Sequence, residues 1–279
     1  MNNPLLKIEN LEVSFQNDDG SLQPAVRGID LELDAGETLA IVGESGSGKS
    51  VTSLAMTRLL PDPPRCRVSG SLSLNGQDIS SLSSRQLQKV RGGTVAYIFQ
   101  EPSTSLNPVY TIGFQIREAL QLHRPDLQDH AKEAHRLLVA VGIQDPAQTL
   151  RDYPHQLSGG MQQRAMIAMA LACQPRLLVA DEPTTALDVT IQAQIIDLLK
   201  NLKEETGMAI LLITHNFGIV SGFADRVMVM FRGEVVESGP TRDVLKNPQH
   251  PYTQALIDCI PRLGHKKERL TTIDHEKLA

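Results

Sequence analysis

Cysteine is scarce in this chain: Cys66, Cys173 and Cys259 are its only three in 279 residues, far apart and without a C-x-x-C pair. That spacing argues against a disulfide framework and against a zinc or iron–sulfur site, so each is expected to be a buried or neutral thiol. Long apolar runs are missing too, and no stretch approaches the length needed to span a bilayer. The opening residues, Met1 to Lys7, lack the architecture of a signal peptide. There is no excess of positive charge either. Lys and Arg number 27 against 32 Asp and Glu, a net charge of −5, so no overall basic field would draw the chain to nucleic acid. No internal repeat, low-complexity tract or heptad run is present. These absences predict a cytoplasmic protein that reaches a membrane only through a partner.

What is present is an ordinary globular mix, 41% hydrophobic and 21% charged, long enough for one large α/β domain or two small ones. The chain is organised around Gly43 to Ser50, GESGSGKS, which follows the apolar run Thr38–Val42 and precedes a helical segment, Val51 to Leu60. Strand, glycine turn and helix is the context in which G-x-x-x-x-G-K-[ST] reads as a phosphate-binding loop. Glycines let the backbone close around a polyphosphate, so that successive N–H groups point at anionic oxygens. Lys49 is placed to reach the β- and γ-phosphates, and the Ser50 hydroxyl to ligate Mg²⁺.

Around this loop the pattern predicts strands over 5–15 and 26–33, with a turn at Asn17–Gly20 and a tight turn at Asp34–Glu37. Pro61–Pro64 should end the helix that follows the loop. A hairpin-like piece at Ser69–Gly76, a polar helix around Ser84–Val90 and a strand Thr94–Phe99 come next. Residues 101–160 read as an inserted helical subdomain; Ala134, Leu137, Leu138 and Val141 share one helix face there. A helix Met161–Ala172, a strand Leu177–Ala180, a helix from about Thr190 to Glu205, a strand Ala209–Ile213 and a hairpin Arg226–Glu237 turning at Arg232-Gly233 complete the body. The methionines of the first of these helices, Met161, Met166 and Met169, are expected to fill core. The charged segment His265–Glu276 is expected to be mobile.

Gly43, Gln100, Asp181-Glu182 and His215 each stand at or just beyond the end of an apolar β run. Ligands of open parallel sheets bind at the carboxyl ends of strands, so separate strands deliver an amide, two carboxylates and an imidazole to the edge that carries the phosphate loop. That set suits hydrolysis of a γ-phosphate. Asp181 would hold Mg²⁺, Glu182 would orient or deprotonate the attacking water, Gln100 would bridge metal and water, and His215 would hydrogen-bond the γ-phosphate.

Leu157 to Gln163, LSGGMQQ, lies between Gln100 and Asp181 and resembles the signature motif of ATP-binding cassette (ABC) ATPases. The resemblance covers nearly the whole chain. It implies a P-loop NTPase fold of the α/β class: a mainly parallel sheet core, an N-terminal antiparallel β subdomain and a helical subdomain over about 101–165. The cassette would span 1–240, with a C-terminal extension over 241–279. In that family's pattern Phe15 stacks on adenine. Gly43, Ser45, Gly46, Gly48, Lys49, Ser50 and Val51 bind ATP, and Ser50, Gln100 and Asp181 hold Mg²⁺. Glu182 is the catalytic glutamate, His215 the switch histidine, and Asp188 belongs to the D-loop. Ser158, Gly159, Gly160 and Gln162 would meet the ATP bound by a partner cassette in a head-to-tail dimer.

A finer likeness lies in Tyr97–Pro108, Asp181–Thr190 and His250–Ala255, which resemble the dipeptide, oligopeptide and nickel importers. That subfamily implies a second, related ATPase subunit, two transmembrane permease subunits and an extracytoplasmic solute-binding protein. The chain would then sit peripherally on the cytoplasmic face of the inner membrane and power peptide import. Nickel, glutathione or another small solute is the alternative cargo. A soluble ABC protein acting on ribosomes or DNA is a further alternative, disfavoured by the single cassette and the lack of heptads or zinc spacing. Two departures stand out. Asn216 follows the switch histidine where Asp is usual, with a small effect expected, and the cysteine-rich tail of the longer members is missing, so no cluster is carried over.

Overall fold

The computed structural model describes residues 3–185 and 187–259, so the segment His265–Glu276 lies outside the described residues. These residues form two compact units, one running to Ser81 and resuming at Leu211, the other comprising Leu82–Ile210.

The first unit opens with β1 (Leu6–Gln16), β2 (Leu22–Leu33) and β3 (Thr38–Val42), then α1 (Lys49–Ala55), β4 (Cys66–Leu74) and β5 (Gln77–Asp78). The second carries α2 (Ser84–Val90), β6 (Val95–Ile98), α3 (Pro102–Ser105), α4 (Ile112–His123) and α5 (His130–Ala140). It continues through α6 (Pro146–Thr149), α7 (Gly159–Leu171), β7 (Leu177–Asp181) and α8 (Val189–Thr206). Strand β8 (Ala209–Thr214) leads the chain back to the first unit, which ends with α9 (Phe217–Phe223), β9 (Arg226–Phe231), β10 (Glu234–Pro240), α10 (Thr241–Lys246) and α11 (Pro251–Asp258).

In the first unit one antiparallel sheet has the order β2-β1-β4-β5. Its core face comes from alternation: Leu6, Ile8, Leu11 and Val13 of β1 and Val26, Ile29, Leu31 and Leu33 of β2 are buried. Strand β2 starts earlier than its hydrophobic pattern. Leu22, Gln23 and Pro24 are exposed, yet they pair with Gln16, Phe15 and Ser14, because the ladder is fixed by the neighbouring strand rather than by burial. Pro24 is accommodated because β2 is an edge strand. The other sheet of this unit runs β10-β9-β3-β8, with β3 parallel to β9 and β10 antiparallel to it. Every residue of β3 and β8 is buried, which is why both read as unbroken apolar runs.

The helix after the phosphate loop is shorter than expected and is not stopped by proline. It ends at Ala55; Arg58 takes a left-handed φ of 54° and the Leu59 N–H returns 2.9 Å to Leu54 O, a capping turn that closes the helix before Pro61.

In the second unit β6 and β7 run parallel, pairing Val95 with Leu177 through Ile98 with Ala180. Helices α4, α5 and α7 pack together. Ile112, Ile116 and Leu120 of α4 and Ala134, Leu137 and Leu138 of α5 are buried, as is Val141 just beyond it. Each of the leucine, isoleucine and valine side chains contributes about 1.5–3 kcal/mol of burial. Of the three methionines only Met166 is buried; Met161 and Met169 are half-buried. Cys66 and Cys173 are buried and Cys259 half-buried, and burial pushes the Cys173 thiol up to about 11, so it stays protonated.

Candidate functional site

The phosphate loop leaves β3 at Val42 and enters α1 at Lys49. At Gly43 the backbone passes so close to β9 that an added Cβ would lie 2.2 Å from Met230 O and 2.7 Å from Ser47 Oγ. Gly46 has φ +82°, a conformation that costs other L-residues energy, with open space where its Cβ would be. The loop is tied down from behind: the Gly233 N–H donates to Ser47 O at 3.1 Å. Ser45 and Gly46 are exposed at the tip, while Ser50 and Val51 are half-buried on α1.

Lys49 is 5% exposed, and its ammonium lies inside the loop. It donates to Gly43 O at 2.8 Å, to Glu44 O at 2.7 Å and to Ser47 Oγ at 3.5 Å. An ammonium lodged in a glycine cradle is suited to an anionic ligand. Phe15, half-buried near the end of β1, and His215, exposed just after β8, belong to the same unit. Asn216 caps α9, accepting the Gly218 N–H at 2.8 Å through its side chain. An aspartate oxygen at this position would accept the same N–H.

The second unit gathers the predicted amide and carboxylates. Gln100, two residues beyond β6, donates through Nε2 to Glu182 Oε2 at 3.1 Å, and the Thr185 hydroxyl donates to the same oxygen at 2.8 Å. Glu182 has φ 47°, a left-handed conformation that costs a non-glycine residue about 1–3 kcal/mol and is concentrated at functional sites. Asp181 is the last residue of β7, and both it and Glu182 are half-buried.

Ser158 and Asp188 act as helix caps. The Ser158 hydroxyl accepts the Met161 N–H at 3.4 Å to start α7, and the Asp188 carboxylate accepts the Ile191 N–H at 2.9 Å to start α8. Gly159 and Gly160 form the first turn of α7. Gln162 turns its amide onto Pro154 O at 2.8 Å and Leu157 O at 3.2 Å, bracing the loop that leads into the helix.

Several residues that sequence reasoning passed over hold these groups in place. Gln163, 1% exposed, donates to Pro183 O at 2.6 Å and anchors the turn after Glu182 to α7. Gln192 donates to Thr184 O and Leu187 O, bracing the approach to Asp188 from α8. Tyr252, in α11, accepts the Glu44 N–H at 2.9 Å. Glutamines five residues past the capping Ser158 and four past the capping Asp188 were the available local signal for the first two; nothing near Tyr252 points to the loop.

Among the described residues no cluster of three His, Cys, Asp or Glu could hold a metal ion by itself. No helix among the described residues is long and apolar enough to cross a membrane.

Comparison with known proteins follows the same lines. Residues 26–185 match the family described as ABC transporter, and residues 236–279 match the oligopeptide/dipeptide transporter C-terminal region. The dipeptide transport ATP-binding protein DppD of Bacillus subtilis is 48% identical over 97% of this chain and 81% of its own length. The glutathione import ATP-binding protein GsiA of Shigella boydii is 50% identical over 94% of this chain, which spans 43% of that protein. Among solved structures, the dimeric ATP-binding cassette MJ0796 in a post-hydrolysis state with ADP and Pi superposes with a TM-score of 0.75 at 28% identity, covering 85% of this chain and 99% of that one.

Proposed function

The chain belongs to the ABC transporter family, and from that premise we propose that it is the ATP-hydrolysing subunit that powers peptide import across the cytoplasmic membrane. The observation that carries this reading is the buried Lys49 ammonium inside the glycine loop. Phosphate oxygens entering the cradle would form charge-assisted hydrogen bonds with it.

In this reading Gly43, Ser45, Gly46, Gly48, Lys49, Ser50 and Val51 bind the phosphates of ATP, and Phe15 stacks on the adenine. Ser50, Gln100 and Asp181 would hold Mg²⁺, which neutralises charge on the phosphates. Glu182 takes the proton of the attacking water, and its hydrogen bonds from Gln100 and Thr185 fix the carboxylate for that task. His215 donates to the γ-phosphate. Ser158, Gly159, Gly160 and Gln162 contact the ATP of a partner cassette, with Asp188 beside them, so that ATP binding closes the dimer and hydrolysis reopens it.

The cassette spans 1–240, with the helical subdomain over about 101–165 and the extension from 241. The helical subdomain docks the permeases. Val109, Tyr110 and Phe114, which follow the Gln100 loop, are exposed, a grouping suited to a protein partner. Charge reversal at Glu101 should uncouple transport and spare basal ATP hydrolysis.

The proposed assembly has a second, related ATPase, two permeases and an extracytoplasmic binding protein, with this chain peripheral on the cytoplasmic face. Likeness to GsiA favours glutathione as the second candidate cargo. The test is recovery of the tagged chain from gently solubilised membranes. Two polytopic membrane proteins and a second cassette ATPase are expected; ribosomal or DNA-repair proteins without a membrane partner would overturn the proposal.

A further inference from the structure

The contact between Tyr252 and the phosphate loop has a geometry that goes beyond packing. The Gly43–Glu44 peptide group presents its carbonyl, Gly43 O, to the Lys49 ammonium at 2.8 Å. The N–H of that same group, carried by Glu44, donates to the Tyr252 hydroxyl at 2.9 Å. A peptide group is planar, so its two ends cannot turn independently. Tyr252 therefore sets the direction in which the carbonyl holding Lys49 points.

The tyrosine is itself well fixed. It is fully buried at 0% exposure, and its ring centroid lies 4.3 Å from that of Phe231, the last residue of β9. Its own N–H donates to His250 Nδ1 at 3.1 Å. The turn that delivers α11 is anchored by Glu237, whose carboxylate accepts the N–H groups of Gln249 at 2.8 Å and His250 at 3.0 Å. A chain of contacts thus runs from β10 through the start of α11 to the peptide that cradles Lys49.

We propose that Tyr252 is a positioning residue for nucleotide phosphates, through which the C-terminal extension sets the geometry of the phosphate loop. The inference rests on the reading of Gly43–Ser50 as the nucleotide site. Without the hydroxyl, the Gly43–Glu44 peptide loses the acceptor that holds its N–H, and Lys49 no longer has a fixed pair of carbonyls to leave and return to. Such a loss acts on bound nucleotide before and during reaction alike. It therefore raises KM and the dissociation constant rather than lowering kcat.

The experiment uses the purified full chain and compares wild type with Tyr252→Phe, Val244→Ala and Lys49→Ala. Phe keeps the ring against Phe231, and Val244, buried in α10, provides a variant destabilised in the same extension without touching the loop. Titration with MgATP and with MgADP should show Tyr252→Phe binding both three- to tenfold more weakly, with faster hydrogen exchange at the Glu44 amide. Val244→Ala should bind as wild type does. Wild-type affinity in Tyr252→Phe, or equal weakening in Val244→Ala, would overturn the proposal. Unchanged binding in Lys49→Ala would instead overturn the nucleotide reading, and the inference with it.

Discussion

Replacing Gly43 by alanine tests whether the close approach of the phosphate loop to β9 is obligatory. The added methyl would stand 2.2 Å from Met230 O and 2.7 Å from Ser47 Oγ. Ser47 could give way by a rotamer change, but Met230 O belongs to the backbone of a buried strand paired on both sides. The loop itself must therefore move. Overpacking of this kind costs about 1–3 kcal/mol, and a clash with backbone belongs at the upper end. A chain of this size loses about 2–4 °C of Tm per kcal/mol, so the expected fall is about 6–12 °C. Gly46→Ala is the internal comparison: at φ +82° with open space around its Cβ, it meets only the left-handed penalty of about 1–2 kcal/mol. Thermal unfolding of both variants should be followed with and without MgATP. Saturating nucleotide at about 1,000 times Kd adds about 4 kcal/mol to a protein that binds it. Wild type should show that gain, Gly46→Ala most of it, and Gly43→Ala almost none, because displacing Gly43 moves the carbonyl that holds Lys49. A Gly43→Ala protein that melts within 2 °C of wild type by the same assay, or one less affected than Gly46→Ala, would refute the reasoning.

Glu182→Gln should retain MgATP binding while steady-state turnover falls about 10²–10⁴-fold, the loss expected for a general base; normal turnover would remove Glu182 from that role. The pH dependence of stability should carry a mark of Tyr252, whose phenol burial lifts to about 12. A folded pKa above the unfolded value of about 10 leaves the contribution intact below pH 10 and removes it as pH rises toward 12, about 2–3 kcal/mol in all. Tyr252→Phe should therefore show a shallower loss of stability over that window in urea titrations, and identical slopes would contradict it. Asn216→Asp should shift stability by less than about 0.5 kcal/mol and leave ATP turnover within twofold, since either side chain caps α9; a large change in turnover measured on the purified chain would assign the asparagine a catalytic effect.

How much of this was legible beforehand depends on the range of the interaction that does the work. The phosphate loop is local: strand, glycines, lysine and helix are contiguous, and Gly43–Ser50 could be read as a unit before any fold was known. The strand-end placement of Gln100, Asp181 and Glu182 was legible for the same reason, because each apolar run marks its own end. The helix after the loop was misjudged in length because its stop is a capping turn at Arg58, a residue with no compositional preference for positive φ, while the prolines that drew the eye lie beyond it. The early start of β2 was invisible because it is imposed by pairing with β1 and not by burial. Beyond this local grammar lie the contacts that orient the site. Gln163 reaches Pro183 across 20 residues, Gln100 reaches Glu182 across 82, and Tyr252 reaches Glu44 across 208. His250 to Ala255 could be recognised as a pattern shared with relatives, yet nothing in its composition says that its tyrosine ends on a loop near the opposite end of the chain. The residues proposed to perform chemistry are thus announced by short spacings, whereas those proposed to aim them become visible only when the fold brings distant backbone within hydrogen-bond reach.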